Sequence, residues 1–521
     1  MNPIGAQVLP AVFAIGLAAL TGLESVRQSA GLQSSLVGTA ALLAVWNAAL
    51  VFRARRRHRW LAIAIDLRKQ HYVQACAQAS VLLYWGWYWR PVYDAAPLVA
   101  AQLLVAYAFD MLLGWSRREH YTLGFGPVPV VFSINLFLWF RPDWFVFQLL
   151  MVALGFAAKE FIRWERDGRR VHVFNPSSFT LAVVSVALIL TERSDLTWGK
   201  EIASTQFYPP HMYLMLFLVG LPGQWFFGVT TMTMSAVVTT YLFAIAYHAA
   251  TGIYFFYDSH IPIAVFLGMH LLFTDPSTSP RTDLGRVTFG ALYGLSTVGL
   301  YQLLGQAGLP TFYDKLLQVP LLNLSVILLD RAARSEALRG LDPAALALRL
   351  APGRRHAAYM AVWALVFAGM SVTEGVGDRH PGQWLPFWQR ACAQDRAYAC
   401  RYLGDTLAGF CDLGSGWACN ERGMLGVRRG FEASVGWESM RRGCDLGFAP
   451  ACENASRAIR GEPPVAAPPT LDDYPIIARG GKGPIADRSP DALYAYACRA
   501  GWPKACGMGT GESRTGPRGS R

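Results

Sequence analysis

Ala40-Ala41-Leu42-Leu43-Ala44-Val45-Trp46-Asn47-Ala48-Ala49-Leu50-Val51-Phe52 runs straight into Arg53-Ala54-Arg55-Arg56-Arg57-His58-Arg59. A helix that crosses a bilayer needs about 20 largely apolar residues, because each adds about 1.5 Å against a hydrocarbon core about 30 Å thick. Lys and Arg gather in the loops left on the cytoplasmic side. An oily run closed by a block of arginines therefore predicts a spanning helix that ends inside. The same reading gives about thirteen candidate spans, near 5–25, 34–52, 72–89, 95–115, 126–140, 144–162, 176–191, 211–228, 231–252, 260–274, 288–308, 312–330 and 357–373. The basic loops follow the even-numbered ones: Arg53 to Arg59, Arg117-Arg118, Arg163 to Arg170, Arg281 with Arg286, and Arg331 to Arg355. Loops after odd-numbered spans, such as Tyr93-Asp94 and Phe256-Tyr257-Asp258, carry little positive charge. The expected fold is all-α, a polytopic bundle of about 12–13 spans over 1–375 with the N-terminus cytoplasmic.

Composition agrees with lipid as the solvent. Of 521 residues, 53% are apolar and 16% charged, against about 25% charged in an average soluble domain. The net charge of +12 sits in loops between apolar runs, where it encodes orientation, so the bilayer is an expected partner and nucleic acid is not. Met1 to Gly5 lacks the basic opening of a secretory signal, and the first run is expected to be retained. The expected location is a bacterial cytoplasmic (inner) membrane.

Cysteine usage marks a second domain at 376–508, which the charge pattern places outside, in the periplasm. Of nine cysteines only Cys76 precedes residue 390, and the others pair at one spacing: Cys392 with Cys400, Cys411 with Cys419, Cys444 with Cys452, and Cys498 with Cys506. Ala399, Ala418, Ala451 and Ala505 precede the second cysteines, and Gly414, Gly447 and Gly501 stand three residues after a first cysteine. Residues eight apart on one helix are about 12 Å apart, beyond the roughly 7 Å Cα limit of a disulfide, so the chain must reverse between them. Each unit then reads as helix, Gly-capped turn, helix, with the bridge across the corner. Zinc ligand pairs are closer in sequence, and no metal is expected. An oxidising outer compartment suits such bridges. These residues resemble the cysteine-rich Sel-like helical repeat, a relative of the tetratricopeptide repeat, over about 388–460 and 490–508. The first unit departs by carrying Asp395 where Gly is expected. The resemblance implies a scaffold that docks an extracytoplasmic protein partner. A Pro/Gly-rich insertion spans 461–490, and 509–521 reads as a disordered tail.

Two segments about one hundred residues apart share a pattern: Phe174-Asn175-Pro176-Ser177-Ser178 and Thr274-Asp275-Pro276-Ser277-Thr278. Asn or Asp at an N-cap with Pro at the first helical position predicts a helix start whose free N–H groups can face an anion. Two ordinary caps at the cytoplasmic interface are the alternative reading. Together with His172-Val173, Phe179, Gly220-Leu221-Pro222-Gly223, Phe273, Gly285 and Phe289-Gly290-Ala291-Leu292-Tyr293-Gly294, these motifs resemble the membrane-subunit family that includes the D subunit of Rnf complexes and the B subunit of the sodium-pumping NADH:quinone reductase. That likeness runs from about 120 to 330. The stretches Arg68-Lys69-Gln70-His71-Tyr72, Gly124-Phe125-Gly126-Pro127, Lys159-Glu160-Phe161-Ile162-Arg163-Trp164, Thr274 to Arg281 and Phe312-Tyr313-Asp314-Lys315 resemble the UnbU-type branch associated with enediyne clusters. What the resemblance implies is electron transport through FMN or riboflavin, coupled in some members to ion movement, beside other membrane subunits. It places Asn175, Pro176, Ser177, Thr274, Asp275, Ser277 and Thr278 at the cofactor. Family members attach FMN to Thr in a Ser-Gly-Ala-Thr type motif. Here the matching loop, about 192–210, offers only Ser204-Thr205 without Gly-Ala, so covalent attachment at Thr205 does not carry over.

Among other ionisable residues, Asp110 lies near Arg117 and predicts an interfacial ion pair or an ion path. Lys159 and Glu160 are expected to snorkel. His270 reads as a packing histidine or a proton shuttle. His248 and His260 fall near outer ends. No nucleophile triad, Walker loop, dinucleotide fingerprint or His-Glu-x-x-His motif is present, and no catalytic residue is named. The readings that stand are an electron-transport subunit, a non-redox scaffold for an envelope partner, and a small-solute transporter.

Overall fold

Backbone groups buried among apolar side chains must be paired, and helix pairs them locally. Helix accordingly makes up 72% of the computed structural model, with little strand. The structure describes residues 3–473 except 58–59, 208, 257, 347–349, 379, 381–382, 384, 430–432 and 471–472. Most of the 461–490 insertion and the whole 509–521 tail lie outside the described residues. The longer helices are α1 (Pro3–Ala19), α2 (Ala30–Arg57), α3 (Lys69–Tyr88), α4 (Ala96–Arg117), α5 (Pro127–Asn135), α6 (Phe145–Phe161), α7 (Pro176–Leu190), α8 (Gly199–Thr205), α9 (Met212–Phe227), α10 (Thr230–Thr251), α11 (Ile263–Leu271), α12 (Asp283–Gln306), α13 (Gln318–Ala333) and α14 (Pro352–Val372). The repeat region follows as α15 (Leu385–Ala393), α16 (Ala399–Asp412), α17 (Gly416–Arg429), α18 (Ala433–Asp445) and α19 (Ala449–Ile459). Four short strands, β1 (Ala62–Ile65), β2 (His120–Leu123), β3 (Arg163–Arg166) and β4 (Arg169–His172), pair between helix ends.

Contacts divide the chain into two units. The first holds the chain up to Phe207, His211–Thr240 and Ile263–Gly369; the second holds Tyr208–Pro210, Tyr241–Pro262 and everything from Met370. The division thus falls a few residues before 375 and joins 241–262 to the repeats.

Among the described residues, six stretches are long and apolar enough to cross a membrane: Ala30–Arg57, Ala96–Arg117, Pro142–Phe161, Thr230–Thr251, Asp283–Gln306 and Thr311–Ala333. Ala6–Gly22, Pro176–Leu190 and Met212–Phe227 are apolar but shorter. Two predicted spans differ in kind. The runs 126–140 and 260–274 contain helices of only nine residues, α5 and α11, about 14 Å long. Beyond each helix the apolar run continues as buried, non-helical chain, whose carbonyls are met by side chains. Gln206 Nε2 donates to Leu136 O at 2.7 Å and Asn175 Nδ2 to Leu272 O at 3.0 Å. Buried backbone outside a helix persists only where such partners exist.

Within the first unit, α12 lies against the first half of α10 through glycines. A Cβ at Gly290 would overlap the Met232 carbonyl, and one at Gly294 would stand 2.8 Å from Ala236 O. Gly290→Val should therefore force the helices apart and cost about 3 kcal/mol. Gly299→Ala, on the same helix with nothing within 4 Å of its Cβ, should leave the melting temperature in detergent unchanged.

The second unit is built from helical corners. Disulfides Cys392–Cys400, Cys411–Cys419 and Cys444–Cys452 hold Cα atoms 4.5, 4.7 and 4.6 Å apart, as the spacing requires. The fourth expected bridge, from Cys498 to Cys506, is not among them. Both Cys498 and Cys506 lie outside the described residues, so three bridges are observed where the sequence predicts four. Gly414 and Gly447 turn the chain at φ 98° and 85°, and Asp395 takes the same role at φ 51°. Asp is tolerated there because its short polar side chain suits the left-handed region. The recurring Ala is explained by space: Ala399, Ala418 and Ala451 are all 0% exposed. Their core includes Trp388, Leu407, Phe410 and Trp417 with Ile253 and Tyr254. The start of the insertion is strapped to this core, with Asn454 bonded to both Val465 N and O (2.7 and 2.8 Å) and Trp417 Nε1 to Ala467 O (2.9 Å).

Candidate functional site

Two β-pairs in the first unit bring together segments that lie far apart in the sequence. β1 runs parallel to β2, Ala62 opposite His120 and Ile65 opposite Leu123, so the turns that follow them lie side by side. Gly124 is required there, since a Cβ would run into the Asp66 carbonyl. Tyr107 OH donates to Gly124 O at 2.9 Å, Phe125 stands edge-on to Tyr72, and a Cβ on Gly126 would sit 3.6 Å from the His71 ring.

β3 and β4 form a hairpin across Asp167 and Gly168, both at positive φ (50° and 70°). That two-residue turn matches the strand twist, and Asp-Gly is its usual sequence. The expectation of a plain basic loop at 163–170 misses this signal. The hairpin delivers Arg166 to Asp330 at 2.7 Å and to Ser279 O at 2.9 Å, Asp167 to Arg281, and His172 Nε2 to Asp275 Oδ2 at 3.2 Å.

Asn175 caps α7 as its sequence predicts. Its Oδ1 accepts from Ser177 N at 3.1 Å, Ser178 N at 3.3 Å and Ser177 Oγ at 2.8 Å. Its Nδ2 reaches Leu272 O, and its own N–H donates to Asn323 Oδ1 at 3.2 Å, while Asn323 Nδ2 donates to Thr278 O at 3.0 Å. The two motifs are thus joined directly and through Asn323, a residue the sequence does not single out.

The second motif departs from expectation, because no helix begins at Pro276. Asp275 Oδ1 accepts from Ser277 N at 2.9 Å and Asp275 O from Thr278 N at 3.2 Å, closing a turn. Helix α12 starts later, behind Thr282, whose Oγ1 accepts from Gly285 N at 3.1 Å. Arg166 and Asp330 occupy the backbone at 279–282, which keeps the intervening segment out of helix. Thr274 Oγ1 donates back to His270 O at 3.0 Å.

Cationic groups surround this junction. The His71 ring, just ahead of the 72–89 run, is pressed below its ordinary pKa by burial, then by Lys159 and Arg68, against opposing pulls from Asp275 and Asp66. Burial would raise the Asp275 carboxyl, but His172 and the Ser277 N–H outweigh it and hold it below the usual carboxylate range. Lys159 enters no ion pair among the described residues and lies 5.6 Å from the Phe156 ring centroid. Glu160 does not snorkel: it is buried, held by Arg118 through both oxygens (2.7 and 2.8 Å), Arg163 (2.9 Å) and Arg117 (3.3 Å). Asp110 accepts from Tyr121 OH at 2.9 Å in place of the expected arginine.

Thr205 ends α8, and its hydroxyl accepts from Trp85 Nε1 at 3.2 Å. None of its hydrogen bonds among the described residues joins it to Asn175 or Asp275. Asp314 and Lys315 form a separate buried pair, 3.2 Å apart. In the second unit His248 stacks on Tyr254 at 4.5 Å and His260 meets His380 at 4.7 Å.

No group of three or more His, Cys, Asp or Glu among the described residues could hold a metal ion. Comparison of the chain with family models, with curated proteins and with solved structures finds no match.

Proposed function

We propose that the chain is a multi-pass subunit of a bacterial cytoplasmic-membrane electron-transport system of the Rnf/Nqr type, binding FMN or riboflavin non-covalently where its two Pro-containing motifs meet. The carrying observation is convergence: His71, Lys159, His172 with Asn175, and Asp275, from four separate segments, surround one junction. Its chemistry fits a flavin phosphate at the cationic rim of Lys159 and Arg68, beside the His71 ring. The α7 N-terminus is not that phosphate site, because Asn175 already accepts from its N–H groups. Bound flavin would supply electron transfer; the chain's own residues supply counter-charge and hydrogen bonds.

Orientation follows from the charge rule, with the N-terminus inside and the repeats outside. In support, Ile253 and Tyr254, in a loop that the rule leaves outside, share one hydrophobic core with the repeats. The repeats then offer a surface to an extracytoplasmic partner. A non-redox scaffold is the second reading, favoured by the missing Gly-Ala and by the engagement of Thr205 with Trp85.

Full-length protein purified in detergent should carry or take up flavin, seen by absorbance and mass. Lys159→Met should weaken FMN about tenfold while sparing riboflavin, as loss of one charge-assisted contact predicts. Protein that binds neither flavin, even with its co-purified membrane partners, would leave the scaffold reading in its place.

A further inference from the structure

The short helix α11 carries one ionisable side chain, His270, which is 2% exposed. Its Nδ1 lies 2.7 Å from Phe266 O. A carbonyl only accepts, so Nδ1 holds the proton, and in the neutral ring Nε2 presents a lone pair. That Nε2 makes no hydrogen bond to any described residue. Two neighbours share the condition. Gln224, 1% exposed, pairs neither its amide nitrogen nor its amide oxygen, and Trp363, 0% exposed, leaves its indole N–H unmet.

The three groups meet at one corner. A Cβ on Gly220 would stand 3.1 Å from His270 Cδ2, the ring carbon bonded to Nε2, and 3.5 Å from Gln224 Nε2. The Trp363 and His270 ring centroids are 5.9 Å apart. An unmet buried polar atom costs about 1–3 kcal/mol, and four in one place would be a large fraction of a domain's usual stability of about 5–15 kcal/mol. On the other short helix, Ser133 of α5 accepts from Gln78 Nε2 at 2.7 Å. There the protein meets the glutamine amide nitrogen itself, while Gln78 Oε1 makes no hydrogen bond to a described residue.

We infer that the Gly220 corner binds water, which completes the hydrogen bonding of His270, Gln224 and Trp363. The donor set selects this ligand. Gln224 and Trp363 offer N–H groups, while Gln224 Oε1 and His270 Nε2 accept, so the occupant both gives and takes hydrogen bonds. No charged side chain is among the three, and an ion would shed its hydration without a counter-charge. Gly220 leaves room only for something small. Thr274, bonded to His270 O, precedes Asp275 directly, so the corner lies one turn behind the paired motifs. The corner holds its water whether or not a flavin is bound.

The test uses the full chain in lipid nanodiscs with ¹⁵N-histidine, read by water-edited solid-state NMR. One imidazole signal, absent in His270→Gln, should show Nδ1 protonated and Nε2 bare and should receive magnetisation from water. Gln224→Leu and Trp363→Phe, which leave the imidazole in place, should each cut that transfer at least twofold. No transfer in the native chain, or transfer in both variants as strong as in the native chain, would overturn the inference.

Discussion

Asp330→Ala should cost the first unit about 3–5 kcal/mol, the range found when one member of a buried ion pair is removed. Asp330 accepts from Arg166 at 2.7 Å, from Arg281 N at 3.0 Å, and from Thr282 N and Oγ1 at 3.0 and 2.8 Å. Alanine leaves the Arg166 guanidinium, only 5% exposed, without its counter-charge. It also frees the backbone at 281–282, and with it the turn that holds Asp275 beside His172. Thermal unfolding in detergent should show a lower midpoint and a loss of any bound flavin together. The double variant Arg166→Met with Asp330→Leu should recover part of the lost stability, because an apolar pair of similar size often replaces a buried ion pair at little cost. A double variant as unstable as the sum of its parts would show that the backbone contacts, and not the charges, dominate.

Reduction of the three observed disulfides should unfold the repeat unit while leaving the apolar helices of the first unit in place. Each bridge joins residues eight apart, and closing so short a loop in the unfolded chain contributes about 2–3 kcal/mol by the chain-entropy account. Three together reach the whole stability of a small domain, about 5–15 kcal/mol. The core they brace is narrow, centred on Trp388, Leu407, Phe410 and Trp417, and cannot make up the difference. Limited proteolysis with and without a phosphine reductant should show cleavage confined to the second unit, within 241–262 and from Met370 onward. Equal resistance in both samples would mean that packing, not the bridges, carries this unit.

These expectations rest on features of unequal visibility in the sequence. The cysteine corners are legible because everything that makes them is local: two thiols, a residue able to take positive φ, and a small alanine at the tightest point. Even Asp395, which breaks the Gly pattern, does Gly's work at φ 51°. The same local signature at Cys498, Gly501, Ala505 and Cys506 lies outside the described residues, so that corner stays an expectation. Asn175 is legible for the same reason as the observed corners, as cap and first-turn proline stand side by side. Its counterpart at Asp275 is not, because what stops a helix there is Arg166 and Asp330, partners 164 residues apart. Asn323 escapes notice likewise, since it belongs to no local pattern and acquires its place only when distant turns meet, and His71 is noted only within the stretch Arg68 to Tyr72, with no role of its own. The apolar runs are visible as runs, but carbon content is blind to conformation, and 126–140 and 260–274 look like whole helices.

Those two runs carry a consequence for sidedness on the proposed membrane reading. About 14 Å of helix is followed by five non-helical residues in the first run and three in the second, and these begin as turns folded back on the helix end, so each falls short of the thickness of an oily slab. The charge rule has the first travelling outward and the second inward, so their peptide dipoles oppose and the two largely cancel at mid-depth.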